Sequence, residues 1–135
     1  MIKRLLHVGI AVKDVGESSK LFSKLFGIDQ VGTEEIRDQK VRVAFFALGN
    51  ASVELTEPTS SESAIAKFIA RRGEGVHHLS FEVDDIHAEL ARLKAGGFQL
   101  IDEIPQLGAG GYWIAFLHPK STNGVLVEIS QKIRR

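Results

Sequence analysis

Residues 6–15 read LHVGIAVKDV, and residues 77–86 return to the same pattern as HHLSFEVDDI. His7 aligns with His78, and the apolar and acidic positions that follow coincide at one constant offset. A pattern that recurs along a chain in this way indicates a repeated structural unit. The fold is therefore expected to contain one supersecondary unit used twice.

Both copies continue through the same succession of patterns. Asp14 and Asp85 each precede an amphipathic stretch that ends at glycine, which predicts a capped helix in each copy. Alternating apolar runs before and after these helices predict strands. The last strand of each copy carries a glutamate between apolar residues, Glu54 in the first and Glu128 in the second. We predict an α+β fold with two tandem βαβββ modules that form a curved, eight-stranded mixed sheet.

The predicted modules fill one domain. We expect module 1 over about residues 1–58, a linker helix over about 59–74 and module 2 over about 75–135. Polar residues predict an edge strand in module 1, over residues 30–37. In module 2 we expect strands over residues 99–104, 112–117 and 124–130, and a flexible glycine-rich loop over 107–111.

The composition limits the function. At 135 residues, with 44% hydrophobic and 25% charged residues, the chain is typical of a globular domain. A net charge of zero gives no electrostatic reason to expect nucleic acid or a membrane as the main partner, which leaves a small molecule or another protein. The absence of cysteine excludes disulfides and thiolate ligands. The apolar run at the N-terminus is too short for a signal or a membrane span, which leads us to expect a cytoplasmic protein.

The histidine and the glutamate of each copy lie on the polar faces of their strands. Side chains alternate along a strand, so His7 shares its face with small residues and His78 shares its face with polar ones. The opposite faces are apolar and suit packing beneath the helices. If the modules pair edge to edge, four ligands meet in the concave cleft of the sheet: His7, Glu54, His78 and Glu128. Two imidazoles and two carboxylates suit a divalent ion such as Co²⁺, Ni²⁺, Mn²⁺ or Zn²⁺.

Each of these four residues also has a simpler interpretation. A single histidine on a strand is more often structural than a ligand, and a glutamate between apolar residues can pair with a cation on the next strand. Placement at matching positions of both copies, always on the polar face, favours the metal hypothesis. A buried charge without a partner would be costly, which also speaks against a purely structural role.

The motifs that surround these residues resemble a known family. The chain is similar over essentially its whole length to the methylmalonyl-CoA epimerases of the vicinal oxygen chelate superfamily. The similarity is carried by LHVGIAV at 6–12, VELTEP at 53–58, GVHHLSFEVDDI at 75–86, FLHPK at 116–120 and GVLVE at 124–128.

The resemblance implies a reaction and the residues that carry it. The reaction is metal-assisted interconversion of (R)- and (S)-methylmalonyl-CoA, in which the α-proton is abstracted and an enolate is formed. The resemblance implies an isomerase that acts on an acyl-CoA, with Co²⁺ as the most favoured ion and a homodimer as the assembly. Glu128 is expected to be both metal ligand and catalytic base.

The chain departs from some relatives at the position of the second base. Several epimerases carry a glutamate where this chain has Val43 and a glutamine where it has Glu54. Valine cannot move a proton. Either Glu54 serves as second base as well as metal ligand, or a metal-bound water or another residue does so.

Other functions remain open within the same superfamily. Lactoylglutathione lyase (glyoxalase I) has the same ligand types, but it tends to have a DPDG-type turn before the last glutamate, whereas residues 118–124 read HPKSTNG. An iron dioxygenase would use two histidines and one carboxylate, and the fourth residue, Glu54, argues against it. A non-catalytic ligand-binding member would not need the four ligands.

Overall fold

The computed structural model describes residues 1–134, which form strands, helices and short connections. In chain order the elements are β1 (Ile2–Ala11), α1 (Val15–Phe26), β2 (Gly32–Ile36), β3 (Val41–Ala47), β4 (Ser52–Pro58), α2 (Ala64–Arg72), β5 (Gly75–Val83), α3 (Ile86–Ala95), β6 (Gln106–Gly108), β7 (Tyr112–Leu117), a 3-10 helix (Pro119–Ser121) and β8 (Val127–Lys132).

The strands form an eight-stranded sheet in the order β2-β3-β4-β1-β5-β8-β7-β6. Strand β1 pairs with β4 in parallel, and β5 pairs with β8 in parallel. The pairs β2–β3, β3–β4, β6–β7 and β7–β8 are antiparallel. The predicted fold class, two βαβββ modules in one eight-stranded mixed sheet, is confirmed, and the polar strand β2 lies at an edge as expected.

The two aspartates that follow the repeated strands begin equivalent helices. Asp14 accepts a hydrogen bond from the backbone N–H of Glu17, and Asp85 accepts one from that of Ala88, both at 3.1 Å. Each aspartate thereby satisfies one of the backbone donors that a helix start leaves without an intrahelical partner. Helix α1 ends at Gly27, whose left-handed backbone favours glycine.

The chain divides into two compact units, one of residues 7–77 and one of residues 1–6 with the chain from His78 onward. In the first unit, α1 covers an apolar cluster on the sheet. Its buried members are Val12, Val15, Ala44, Phe46 and Leu55. The rings of Phe26 and Phe46 meet edge to face with centroids 5.6 Å apart. The expected module boundaries near residues 58 and 75 stay a prediction.

The second unit has a corresponding apolar cluster beneath α3. Its buried members are Val83, Ile86, Leu90, Leu93, Ala115, Leu117 and Ile129. The buried residues of α3 recur at helical spacing, so one face of the helix packs on the sheet. In both units these clusters occupy the helix-covered face of the strands, and the candidate histidines and glutamates lie on the other face.

The prediction of a strand over residues 99–104 is wrong. Leu100 forms only an isolated bridge with Leu117, and the strand that pairs with β7 is β6, which lies within the stretch expected to be a flexible loop. The carboxylate of Asp102 accepts the backbone N–H of Phe116 at 2.9 Å, a donor that a pairing strand would otherwise bind. Pro105 has no N–H to contribute to a ladder, so regular pairing begins only after it.

Two smaller differences concern the same part of the chain. The last strand begins at Val127 rather than at residue 124. Gly108 lies in β6 and passes close to Ile114, so a side chain would not fit there: a Cβ at position 108 would lie 2.6 Å from the Ile114 side chain. Within residues 1–134, no helix combines the length and the hydropathy needed to cross a bilayer.

The apolar cluster beneath α1 generates a stability prediction. Leu55 is completely buried, and truncation to alanine should lower the free energy of unfolding by about 3 kcal/mol, since it removes apolar contacts and leaves a cavity. Leu21 lies in the same unit but is 64% exposed, so Leu21→Ala should change that free energy by less than about 0.5 kcal/mol. Urea unfolding of both variants measures the difference, and equal effects would contradict the described core.

Candidate metal centre

The first histidine and glutamate of the repeat lie side by side on parallel strands. His7 on β1 is level with Ser52 on β4, and Gly9 is level with Glu54. Because side chains alternate, His7 and Glu54 point to the same face. His7 Nδ1 lies 3.1 Å from Glu54 Oε2, and both side chains are buried.

Burial controls the charge of His7. Removal from water disfavours the imidazolium form and lowers the pKa of His7 to about 4. The ring is therefore neutral at neutral pH, and its contact with Glu54 joins a neutral ring to a carboxyl group. A neutral imidazole is the form of histidine that binds metal ions.

The second histidine and glutamate are arranged in the same way. Ser80 on β5 is level with Glu128 on β8, which places His78 and Glu128 on one face of this parallel pair. His78 Nε2 lies 3.9 Å from Glu128 Oε1, and both side chains are buried. The ring of Phe116 on β7 meets the His78 ring edge to face, with centroids 5.5 Å apart. Packing against Phe116 thus helps to fix the histidine.

Glu128 is buried among groups that act on its charge in opposite directions. Burial raises the pKa of Glu128 to about 7, and the negative charge of Asp102 acts in the same direction. The neighbouring hydroxyl groups of Ser80 and Ser130 act against burial and favour the carboxylate. The group is thereby poised between its neutral and its charged form near neutral pH.

Three of the four predicted ligands offer atoms at a spacing that suits an ion. One atom from each of His7, His78 and Glu128 lies within 4.8 Å of the others. Two imidazoles and a carboxylate are suitable ligands for a divalent ion such as Zn²⁺. These residues therefore form a possible metal site.

Glu54 lies beside this group of three rather than within it, next to His7. Its role as fourth ligand, and the catalytic roles of Glu54 and Glu128, stay predictions. Val43 is buried on β3 opposite Thr56 of β4 and offers no group that titrates. The site residues that sequence reasoning missed are Asp102, Ser80 and Ser130. The alternation of β5 and β8 placed both serines on the ligand-bearing faces, whereas nothing in the sequence indicated Asp102.

Two other histidines have structural surroundings. His77 packs edge to face on Phe68 of α2 with centroids 4.9 Å apart. His118 caps the 3-10 helix, where its Nδ1 accepts the backbone N–H of Lys120 at 3.1 Å. Neither belongs to the group of three.

The family of the chain is decided by a match over most of its length. The family model of the Glyoxalase/Bleomycin resistance protein/Dioxygenase superfamily matches residues 6–116. The chain belongs to this superfamily. Residues 6–116 include the repeated motif in both copies, so the resemblance inferred from those motifs is confirmed.

Within the superfamily the chain is similar to epimerases. It is 39% identical to the mitochondrial methylmalonyl-CoA epimerase of Dictyostelium discoideum, over 97% of this chain and 80% of that protein. It is 38% identical to the ethylmalonyl-CoA/methylmalonyl-CoA epimerase of Cereibacter sphaeroides, over 97% of this chain and 99% of that protein. A solved structure of Streptomyces coelicolor methylmalonyl-CoA epimerase with 2-nitronate-propionyl-CoA shares 33% identity and a TM-score of 0.94, over 98% of this chain and 96% of that one.

Similarity to lactoylglutathione lyases is weaker. A probable lactoylglutathione lyase of Vibrio parahaemolyticus is 28% identical over 95% of this chain and 90% of that protein. The preference for the epimerases that residues 118–124 indicated agrees with this order.

The burial of Glu128 generates a pH-dependent stability prediction for the metal-free protein. Its pKa is higher in the folded state, about 7, than the ordinary value of 4.5. Its contribution to stability is therefore fully present below about pH 4.5 and is lost as the pH rises through about 7. Glutamine has no charge to bury, so metal-free Glu128→Gln should be more stable than wild type at pH 8, by up to about 3 kcal/mol, and nearly equal to it at pH 4.5.

Urea unfolding at several pH values measures this difference. Both proteins contain His7, so the opposite contribution of that group cancels in the comparison. Glu17→Gln, at an exposed position on α1, is the control and should show no pH-dependent difference. A difference between Glu128→Gln and wild type that does not change with pH would contradict the raised pKa.

Proposed function

We propose that this chain is a methylmalonyl-CoA epimerase, an isomerase that interconverts (R)- and (S)-methylmalonyl-CoA through proton abstraction at the α-carbon. One observation carries the proposal: the ligand group of His7, His78 and Glu128 occurs in a chain that matches methylmalonyl-CoA epimerases along almost its whole length. Proton abstraction beside a thioester needs a base and a means to stabilise the enolate. The buried carboxyls and the candidate metal site supply both.

The metal site would use the residues named above, with Glu54 as fourth ligand. A divalent ion, when bound there, supplies positive charge that stabilises negative charge developing on the substrate oxygens. Co²⁺ is the ion that the family resemblance favours. A homodimer and a cytoplasmic location belong to the same proposal; the first rests on the resemblance and the second on the sequence.

Glu128 is proposed as the base for one epimer. A general base works best when its pKa is near the operating pH, and burial brings the pKa of Glu128 to about 7 in the metal-free chain. Its carboxyl group is largely shielded from bulk solvent, since Glu128 is buried and the neighbouring Ser80 and Ser130 are completely buried.

Glu54 is proposed as the base for the other epimer. Inversion at a carbon that passes through a planar enolate needs proton transfer on both faces. Glu54 occupies the position in β4 that Glu128 occupies in β8, so the repeat offers a second carboxyl in an equivalent setting. Val43 cannot take this role because it has no group that titrates.

The reaction can be tested by exchange of the substrate α-proton with solvent. Protein loaded with Co²⁺ should remove the α-proton NMR signal of methylmalonyl-CoA in D₂O, and a chelator should prevent this. Glu128→Gln should lower the rate at least about 100-fold, because a positioned base contributes about that much or more.

The exposed substitution Glu17→Gln serves as control and should leave the rate unchanged. No exchange by metal-loaded wild type would overturn the epimerase proposal. The hemithioacetal of methylglyoxal and glutathione is then the next substrate, because lactoylglutathione lyases are the weaker relatives. A protein that turns over neither substrate would be a ligand-binding member of the superfamily.

The role of Glu54 can be tested with each epimer separately. If Glu54 serves one face only, Glu54→Gln should slow epimerisation at least about 100-fold while one epimer still exchanges its α-proton through Glu128. Proton NMR in D₂O follows exchange, and chiral analysis of the product follows inversion.

Bound metal should be measured in the same samples, because Glu54 is also a proposed ligand. Epimerisation at the wild-type rate would exclude Glu54 as second base. Equal loss of exchange from both epimers at full metal content would likewise contradict a role on one face only.

A further inference from the structure

Two completely buried serines stand beside the carboxyl group of Glu128. Ser80 is the neighbour of Glu128 on the adjacent strand, and Ser130 lies two residues further along β8, so all three point to one face. Ser130 Oγ donates to Glu128 Oε1 at 3.2 Å, and the two serine oxygens are 2.7 Å apart. Neither serine has any exposed surface.

The number of hydroxyl hydrogens determines the direction of these hydrogen bonds. A serine hydroxyl carries one hydrogen and can accept two hydrogen bonds. When Ser130 donates its hydrogen to an ionised Glu128, the short contact between the serines requires Ser80 to donate to Ser130. Ser80 then fixes the Ser130 hydroxyl in the orientation that points its hydrogen at Oε1.

We infer that Ser130 is a positioning residue for Glu128 and that Ser80 positions Ser130. The hydroxyl pair fixes Oε1 and so defines where Oε2 of the same carboxyl points. The inference rests on the proposed function only for its effect on turnover, whereas the position of Glu128 is a property of the protein itself. The competing explanation is that the serines satisfy only each other, as cross-strand hydroxyl pairs do.

The direct test is the position of the Glu128 side chain in crystal structures of metal-free wild type, Ser130→Ala and Ser130→Thr. In Ser130→Ala the carboxyl group loses its donor and should adopt a new rotamer or two conformers. Ser130→Thr keeps the hydroxyl and should retain the wild-type conformer. A Glu128 side chain that is unchanged in Ser130→Ala would overturn the inference. Ser80→Ala, which leaves Ser130 in place, should shift Glu128 less than Ser130→Ala does.

Two functional measurements accompany the structures. Ser130→Ala should weaken Co²⁺ binding and lower kcat, each by roughly tenfold to a hundredfold, as loss of a residue that orients a ligand does. KM should stay within about twofold. Ser130→Thr should recover most of both losses. Ser19→Ala, a change at another buried serine, on α1, is the control and should alter neither value.

The outcomes separate this inference from the proposed function. Wild-type protein that fails to exchange the α-proton would overturn the function, while a shifted Glu128 in Ser130→Ala would still establish the positioning role. Active wild type together with an unmoved Glu128 and unchanged kcat in Ser130→Ala would overturn the positioning role and leave the function intact.

Discussion

The register of two parallel strand pairs is the constraint on which the candidate site depends. It places Gly9 level with Glu54 and Ser80 level with Glu128, so each histidine and its glutamate share a face. A slip of one residue would turn one partner of each pair into the helix-covered core. The apolar residues on the opposite face of each strand prevent such a slip, because it would expose them. Packing beneath α1 and α3 therefore maintains the chemistry on the other side of the sheet.

Burial has opposite effects on the two kinds of site residue, and both effects are useful. It keeps His7 neutral and raises the pKa of Glu128 to about 7. The same loss of water would be costly if the carboxyl group had no hydrogen-bond partner. The strands supply that partner from two serine hydroxyls rather than from a fixed positive charge, which leaves Glu128 able to gain and lose a proton.

Much of this arrangement could be predicted from the sequence because alternation and repetition are local signals. The period of two placed His7, His78, Glu54 and Glu128 on polar faces, and the aspartates marked both helix starts. The stretch around Asp102 and Pro105 could not be assigned in this way, because its alternating pattern is typical of a strand. In the structure the side chain of Asp102 accepts the backbone N–H of Phe116, which a paired strand would otherwise bind. The distances between side chains and the shift in the pKa of Glu128 depend on burial in three dimensions, which no local pattern records.

The two copies of the repeat carry different residues beside their glutamates. In the first copy, the positions that correspond to Ser80 and Ser130 are held by Gly9 and Thr56. Glu54 and Glu128 thus share one backbone setting but differ in the hydroxyls around them. Substitutions at these flanking positions can tune the acidity of one carboxyl group without disturbing the register that holds the other. The repeat gives the protein two acids that are adjustable independently.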